Sequence, residues 1–194
     1  MKLINSKNLI IIISFLFLVL FFSLMIAGSI SEKTPKINLG VNSILGEVSI
    51  SAPEGTNFSL ETIDGKRINL SDYEGKPLVI DFWSSWCGPC IKEASILSDA
   101  QKEWSFRGIN FVGIAVWDQP NDIQEFINKY DIQYDIIIDN NGSTAVDFGV
   151  IAVPEKFFVN SDGSFAFKIN GPNNKKSLDG YLERLLQEDK DNDN

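Results

Sequence analysis

The segment Leu78–Leu97, LVIDFWSSWCGPCIKEASIL, decides the fold. Its first six residues are apolar except Asp81, which predicts a strand buried on both faces. Ser84 and Ser85 are suited to capping a helix, and Pro89 is suited to its first turn. The pattern therefore predicts that a buried strand runs directly into a Cys-x-x-Cys sequence at the start of an amphipathic helix.

Cys87 and Cys90 are the only cysteines, so within one chain they can pair only with each other. The free backbone N–H groups and the helix dipole favour the thiolate of Cys87, which is the attacking form. Cys90 is then placed to resolve a mixed disulfide formed on Cys87. Two other interpretations are inert core thiols and half of a zinc site. The chain has no histidine, so zinc would need carboxylates or a second chain.

The sequence WCGPC after a strand resembles thioredoxin. The longer stretch Ala52–Glu93, APEGTNFSLETIDGKRINLSDYEGKPLVIDFWSSWCGPCIKE, is similar to the membrane-anchored TlpA, ResA and CcmG (DsbE) branch. The similarity extends from about Ser51 to Leu186. It implies an α/β thioredoxin fold whose central mixed sheet has helices on both faces, with an N-terminal hairpin extension and a central insertion. It also implies thiol:disulfide exchange outside the cytoplasm.

Periodicity and turn signals predict alternating strands and helices, which favour a mainly parallel sheet covered on both faces, with antiparallel strands added by a closing hairpin. The predicted elements are a hairpin over Phe58–Leu70 turning at Asp64-Gly65, a helix ending at Arg107-Gly108, strands Asn110–Val116 and Asp135–Asp139, a helix opening at Pro120, a turn and short helix over Asn140–Gly149, a hairpin of Lys156–Asn160 with Phe165–Ile169, and a last helix around Leu178–Leu186.

The stretch Leu9–Ile26 is almost entirely apolar and would span about 27 Å as a helix, enough to cross a bilayer. Lys2 and Lys7 before it predict a cytoplasmic N-terminus and a single-pass protein of the cell membrane, with a periplasmic or otherwise extracytoplasmic catalytic domain. A signal peptide cleaved near Ala27 is the alternative. The predicted organisation is an anchor or signal over 1–28, a linker over 29–53 with a short edge strand, the thioredoxin-like domain over 54–187 and a solvated acidic tail over 188–194.

Two carboxylates bear on the chemistry. Burial of Asp81 in its apolar strand would raise its pKa toward the range useful for proton transfer, and the alternative is a wet strand edge. Asp81 matches the buried aspartate of thioredoxin, whereas many anchored relatives have asparagine there. Glu93 follows Cys90 by three residues on the same side of the helix, and spacing alone is equally compatible with a solvated surface position. By resemblance, Glu93 matches a glutamate that modulates the thiols of the ResA branch.

The resemblance also implies a substrate-binding surface. Val153-Pro154 matches the cis-proline loop that faces the cysteines, and Glu155 completes the Pro-Glu of CcmG-type proteins. A proline there removes one backbone donor and leaves its neighbours free to pair with an extended peptide. The residues expected to bind substrate are Trp86, Gly88, Pro89, Val153, Pro154 and Glu155.

By resemblance the protein is a disulfide reductant for apocytochrome c, supplied with electrons by a membrane thiol transporter of the DsbD or CcdA kind, and it needs no cofactor or metal. A general disulfide oxidant or isomerase would use the same residues at a higher potential. A metal chaperone of the Sco kind has a wider cysteine spacing and a histidine ligand, and a peroxidase has a lone cysteine. Without Lys2 and Lys7, 15 of the 17 basic residues remain against 26 acidic ones, which argues against nucleic acid.

Overall fold

The computed structural model describes residues 12–23, 40–48, 50 and 57–192. The chain separates into two compact units at residues 37 and 38. Helix α1, residues 12–23, lies in the first unit, and its side chains are exposed. Among the residues that the structure describes, no helix has both the length and the apolar character needed to cross a membrane. The predicted anchor, Leu9–Ile26, lies partly outside those residues.

The second unit is built of eight strands and four helices in its described part. In chain order these are β1 Gly46–Val48, β2 Ser59–Glu61, β3 Arg67–Asn69, β4 Leu78–Trp83, α2 Gly88–Trp104, β5 Asn110–Val116, α3 Pro120–Tyr130, β6 Asp135–Asp139, α4 Ser143–Asp147, β7 Glu155–Val159, β8 Phe165–Asn170 and α5 Lys175–Asn192. Short 3-10 turns cover Leu70–Tyr73 and Ser105–Arg107.

A six-stranded sheet with the order β1-β8-β7-β4-β5-β6 forms the centre of the unit, and β2 and β3 form a separate hairpin. Strand β4 pairs in parallel with β5, and β5 with β6, while the pairs of β4 with β7, β7 with β8 and β8 with β1 are antiparallel. The predicted mixed sheet is confirmed, but the expectation that it is mainly parallel is wrong. The edge strand β1 adds a third antiparallel pair to the two that the closing hairpin supplies.

Strand β4 lies inside the sheet and is covered on both faces, which explains its apolar run. Val79 belongs to the cluster formed with α2 and α5, whereas Ile80 and Phe82 belong to the cluster on the other face. All six residues of the strand are buried, including Asp81. The C-terminal end of β4 therefore delivers the Cys-x-x-Cys sequence to the N-terminus of α2 from a fixed position.

The termini of the domain differ from the predicted organisation. Residues 40–48 fall within the predicted linker but pack on the domain, and β1 pairs with β8 as the expected edge strand. The acidic segment continues helix α5 to Asn192 because Glu188 accepts a hydrogen bond from Arg184 and Asp189 accepts one from the Ser161 N–H. Residues 193 and 194 lie outside the described part.

Candidate active site

The two cysteines lie at the start of α2, as predicted. Cys87 is the N-cap residue, and the N–H of Cys90 donates a hydrogen bond to Cys87 Sγ at 3.3 Å. The sulfur atoms are joined in a disulfide, with 5.2 Å between the Cα atoms. Cys87 is 0% exposed and Cys90 is 2% exposed. The pair is thus a redox disulfide whose attacking sulfur accepts a hydrogen bond from the helix N-terminus.

A buried carboxylate holds the loop that leads into the cysteines. Asp118 accepts hydrogen bonds from the Ser85 N–H at 2.5 Å, from Ser85 Oγ at 2.9 Å and from the Gln119 N–H at 2.8 Å. Ser84 Oγ donates to the carbonyl of Val116 at 2.7 Å. These contacts tie the loop to the end of β5. Asp118 was not among the predicted site residues, although an acidic residue closely following a buried strand could have indicated it.

Two partly exposed tryptophans lie on the loops that follow β4 and β5, and Trp86 directly precedes Cys87. Trp86 is 49% exposed and Trp117 is 40% exposed, and Trp86 Nε1 donates to the carbonyl of Trp117 at 3.1 Å. Gly142 lies under the Trp117 ring with a positive φ of 72°, and a side chain at this position would collide with the indole. Gly142 therefore lets the Trp117 ring lie close against the backbone of the turn before α4.

The Val153–Pro154 peptide bond is cis, as the resemblance implied. The carbonyl oxygen of Val153 lies 3.7 Å from Cys87 Sγ, so this loop faces the attacking sulfur. Val153 and Pro154 are buried, Gly88 is exposed and Pro89 is half-buried. The structure thus brings together at the disulfide the two backbone segments that were expected to contact substrate.

The Glu155 side chain points into the domain and is fully buried. Its Oε2 lies 2.5 Å from Lys168 Nζ, and its Oε1 accepts hydrogen bonds from the N–H groups of Ile151 and Ala152. Lys168 Nζ also donates to the carbonyl of Gly149 at 3.1 Å. Glu155 was expected to bind substrate, but in this structure its carboxylate holds the loop that precedes Pro154.

A second buried ionic cluster lies beneath α2 and contains both predicted carboxylates. Lys156 Nζ lies 2.6 Å from Glu93 Oε1 and 3.3 Å from Asp81 Oδ1. Glu93 Oε2 accepts a hydrogen bond from the Asn173 N–H at 2.7 Å. Asp81 is 4% exposed, Glu93 1% and Lys156 0%. The expected burial of Asp81 is confirmed, and Glu93 is also buried rather than lying on the solvated surface.

Burial dominates the proton affinity of this cluster. Desolvation raises the pKa of Glu93 to about 7, against the attraction of Lys156, and it also raises the pKa of Asp81. Burial lowers the pKa of Lys156, but the two carboxylates outweigh it and the pKa is raised. Lys156 therefore stays charged while the carboxylates take up a proton. Asp81 and Glu93 share Lys156 as their cationic partner, and Glu93 also accepts a hydrogen bond from the Asn173 N–H.

Lys156 was missed as a member of the site. It lies on β7 directly opposite Asp81 on β4, in the antiparallel register of the two strands. A lysine at the start of the buried apolar run of β7 could have indicated a buried ion pair, since lysine is almost never fully buried unless it is paired. Its partners could not be named without knowing which strands are neighbours.

A redox disulfide at the N-terminus of a helix, carried on this mixed sheet and faced by a cis-proline loop, places the protein among the thioredoxin-like thiol:disulfide oxidoreductases. The chain belongs to the AhpC/TSA family, whose sequence model matches residues 51–167. This agrees with the class of enzyme that the fold and the cysteine pair define.

Individual relatives support the same assignment. The thiol-disulfide oxidoreductase ResA of Bacillus thuringiensis subsp. konkukian is 29% identical over 132 residues, covering 68% of this chain and 76% of ResA. The structure of MTB DsbF is 31% identical, with a TM-score of 0.63, covering 70% of this chain and 99% of DsbF. A secreted Mycobacterium tuberculosis disulfide oxidoreductase homologous to E. coli DsbE is 28% identical, with a TM-score of 0.61, covering 66% of this chain and 95% of the relative.

Proposed function

We propose that the protein is an exported, membrane-tethered reductant of protein disulfides. The observation that carries the direction of electron flow is the Gly88-Pro89 dipeptide between the cysteines, which is the dipeptide of thioredoxin. The similarity to ResA and to a DsbE homologue supports thiol:disulfide exchange. The secreted character of the Mycobacterium tuberculosis relative supports export of the domain. The apolar run Leu9–Ile26 supports the tether.

The reaction transfers two electrons from the reduced cysteine pair to a substrate disulfide. The Cys87 thiolate attacks one substrate sulfur, the substrate S–S bond breaks, and the departing substrate thiolate takes up a proton. Cys90 then loses its proton and attacks Cys87 Sγ, which forms the Cys87–Cys90 disulfide and releases the second substrate thiolate. The Cys90 N–H, which donates to Cys87 Sγ, stabilises the charge on that sulfur.

The buried cluster supplies the base that the second step requires. Cys90 is buried, so its proton must pass to a group inside the domain. Glu93 lies one helical turn beyond Cys90, and its pKa of about 7 suits proton exchange at neutral pH. Asp81 shares the same lysine and raises the proton affinity of Glu93 further. We propose that Asp81 and Glu93 accept and return this proton, and that Lys156 holds them in place.

The Asp81→Asn variant tests the proton role. We expect it to fold, to exchange thiols at least about a hundredfold more slowly at pH 7, and to show a changed pH dependence between about pH 5 and 9, because general-base catalysis contributes a factor of this order. Stopped-flow reduction of a peptide disulfide measures the profile. An unchanged rate profile would leave Asp81 with a purely structural role.

The docking surface combines apolar and backbone groups. Trp86, which directly precedes Cys87, and Trp117 both expose their rings, and the carbonyl of Val153 faces Cys87 Sγ. An extended peptide that replaces residues 40–42 at the Val153 backbone can pair with it while its side chains contact the tryptophans. This arrangement suits an unfolded polypeptide such as apocytochrome c, which is the substrate that we propose. A membrane thiol transporter of the DsbD or CcdA kind is the proposed electron donor, because an oxidising compartment would otherwise keep the pair as a disulfide.

The reduction potential tests the direction. Thioredoxin has a potential near about −270 mV and the oxidant DsbA near about −120 mV, a gap of roughly 7 kcal/mol. We expect the domain, equilibrated with defined thiol buffers, to titrate near the thioredoxin value. We also expect Cys90→Ser to trap mixed disulfides through Cys87 with exported c-type cytochrome precursors. A potential near that of DsbA, or trapping of unrelated folding substrates, would assign the protein to the oxidants or isomerases.

A further inference from the structure

A segment of the chain already occupies the backbone edge of the proline loop. The Val153 N–H donates to the carbonyl of Gly40 at 3.0 Å, and the Asn42 N–H donates to the carbonyl of Val153 at 2.6 Å. Val41 and Val153 therefore form a parallel β-bridge. Both backbone groups of Val153 are used by residues 40–42, so an incoming peptide cannot pair with them while this segment is bound.

The Asn42 side chain fastens the segment to the loop. Its Nδ2 lies within hydrogen-bond distance of three acceptors, at 2.8 Å from the carbonyl of Ala152, 3.2 Å from the carbonyl of Pro154 and 3.2 Å from Glu155 Oε1. The contacts lie on either side of Val153 and involve the same Glu155 that holds the loop. Asn42 thus binds the loop through side-chain contacts that a backbone bridge alone would not provide.

The rest of the segment is fitted to the domain as well. Val41 packs against the core cluster that includes Cys87 and Val153. Gly171 has a positive φ of 83°, and any side chain there would collide with the backbone of Ile44. Beyond this point the chain enters β1, which pairs with β8. Because β1 is fixed to the sheet, residues 40–42 stay close to the proline loop.

We propose that residues 40–42 act as an internal pseudosubstrate, which closes the docking edge at Val153 and must be displaced before a substrate polypeptide can bind. The proposal rests on the proposed function and specifies how the site is regulated. Cys87 is 0% exposed, and Val41 packs against the core cluster that contains it. Since β1 holds the far end, the segment can leave Val153 and return without unfolding the sheet.

The apparent Kd for substrate equals the intrinsic Kd divided by the fraction of molecules in which Val153 is free. The closed arrangement therefore weakens the apparent affinity. A polypeptide that can form an extended strand replaces the two lost backbone hydrogen bonds with its own. Small disulfides without a backbone strand offer no such replacement. The device therefore favours unfolded proteins over small-molecule disulfides.

Amide hydrogen exchange on a trapped complex tests the displacement. The reduced Cys90→Ser variant is reacted with a short synthetic peptide carrying a Cys-x-x-Cys disulfide. Cys87 forms a mixed disulfide, and the other peptide cysteine leaves as a thiol. We expect the Asn42 amide to exchange at least about tenfold faster in the adduct than in the free variant. The Val153 amide should stay protected because the peptide now accepts its hydrogen bond. An adduct in which the Asn42 amide stays protected would overturn the inference and leave the proposed function intact.

Kinetics of Asn42→Ala give an independent test. Loss of the side-chain contacts opens the edge, so we expect the KM for the same peptide to fall about tenfold with kcat unchanged. The matched control is Ser43→Ala, which alters the adjacent exposed residue and should keep the wild-type KM. A KM for Asn42→Ala that equals or exceeds the wild-type value would overturn the inference. Failure of Cys90→Ser to form any adduct, even with Asn42→Ala added, would overturn the proposed function and the inference with it.

Discussion

The Lys156→Met variant is expected to lose about 3–5 kcal/mol of unfolding free energy at pH 7. Lys156 is fully buried and is the cation that faces both Glu93 and Asp81. Methionine fills most of the same volume, so the loss reflects charge rather than a cavity. Removal of the ammonium leaves two carboxylates in a medium that solvates them poorly, and breaking a buried pair in this way costs far more than breaking an exposed one.

The loss should depend on pH with a definite sign. Burial raises the pKa of Glu93 to about 7, above the unfolded value of about 4.3, so the folded state binds more protons than the unfolded state between these values. Stability therefore falls as the pH rises through this window. Without Lys156 the pKa of both carboxylates rises further, and the window extends above pH 7. Urea unfolding at pH 5 and pH 8 should show a smaller loss at pH 5.

Two further variants separate this explanation from general disruption. Lys102→Met removes an exposed cation paired with Asp131, whose side chain is 70% exposed, and should not change the urea midpoint measurably. Glu93→Gln in the Lys156→Met background removes one of the unpaired charges and should recover part of the loss at pH 8. An equal loss at both pH values, with no recovery by Glu93→Gln, would contradict the charge explanation.

The sequence was sufficient for the local elements of the fold. The bounds of β5 and β6 and the start of α3 agree with those predicted, because apolar periodicity, an N-terminal proline and turn residues mark them within the chain itself. The predicted end of the helical segment at Gly108 is also confirmed, because Gly108 has the left-handed conformation that terminates helices. Such local signals do not report contacts between distant segments. The acidic end was therefore predicted to be a solvated tail, although it continues α5.

The parts of the site that were missed depend on contacts between distant segments. Lys156 meets Asp81 only because β7 lies beside β4 in the sheet, and nothing in either strand specifies that order. The same applies to Glu93, since burial of a helix residue depends on what packs over it, here including the backbone of Asn173. Residues 40–42 carry no chemical motif, so their place on the proline loop could be seen only in three dimensions.

Glu155→Ala should destabilise the protein by an amount similar to Lys156→Met, about 3–5 kcal/mol, and should also loosen the proline loop. The variant leaves Lys168, which is 4% exposed, without its carboxylate partner at 2.5 Å. It also removes the acceptor used by the N–H groups of Ile151 and Ala152. Urea unfolding measures the first effect, and faster exchange of the amides of these two residues measures the second.

Replacement of both partners provides the decisive comparison for Glu155. A buried ion pair exchanged for apolar side chains of similar volume is often neutral or stabilising, because two desolvation costs disappear together. Glu155→Leu combined with Lys168→Met should therefore recover most of the stability lost in Glu155→Ala, since Lys168 Nζ lies 4.9 Å from the centre of the Phe157 ring, where a methionine side chain would find an apolar neighbour. The loop amides should still exchange faster in this double variant, because leucine accepts no hydrogen bonds. Recovery of amide protection along with stability would show that the carboxylate of Glu155 does not hold the loop.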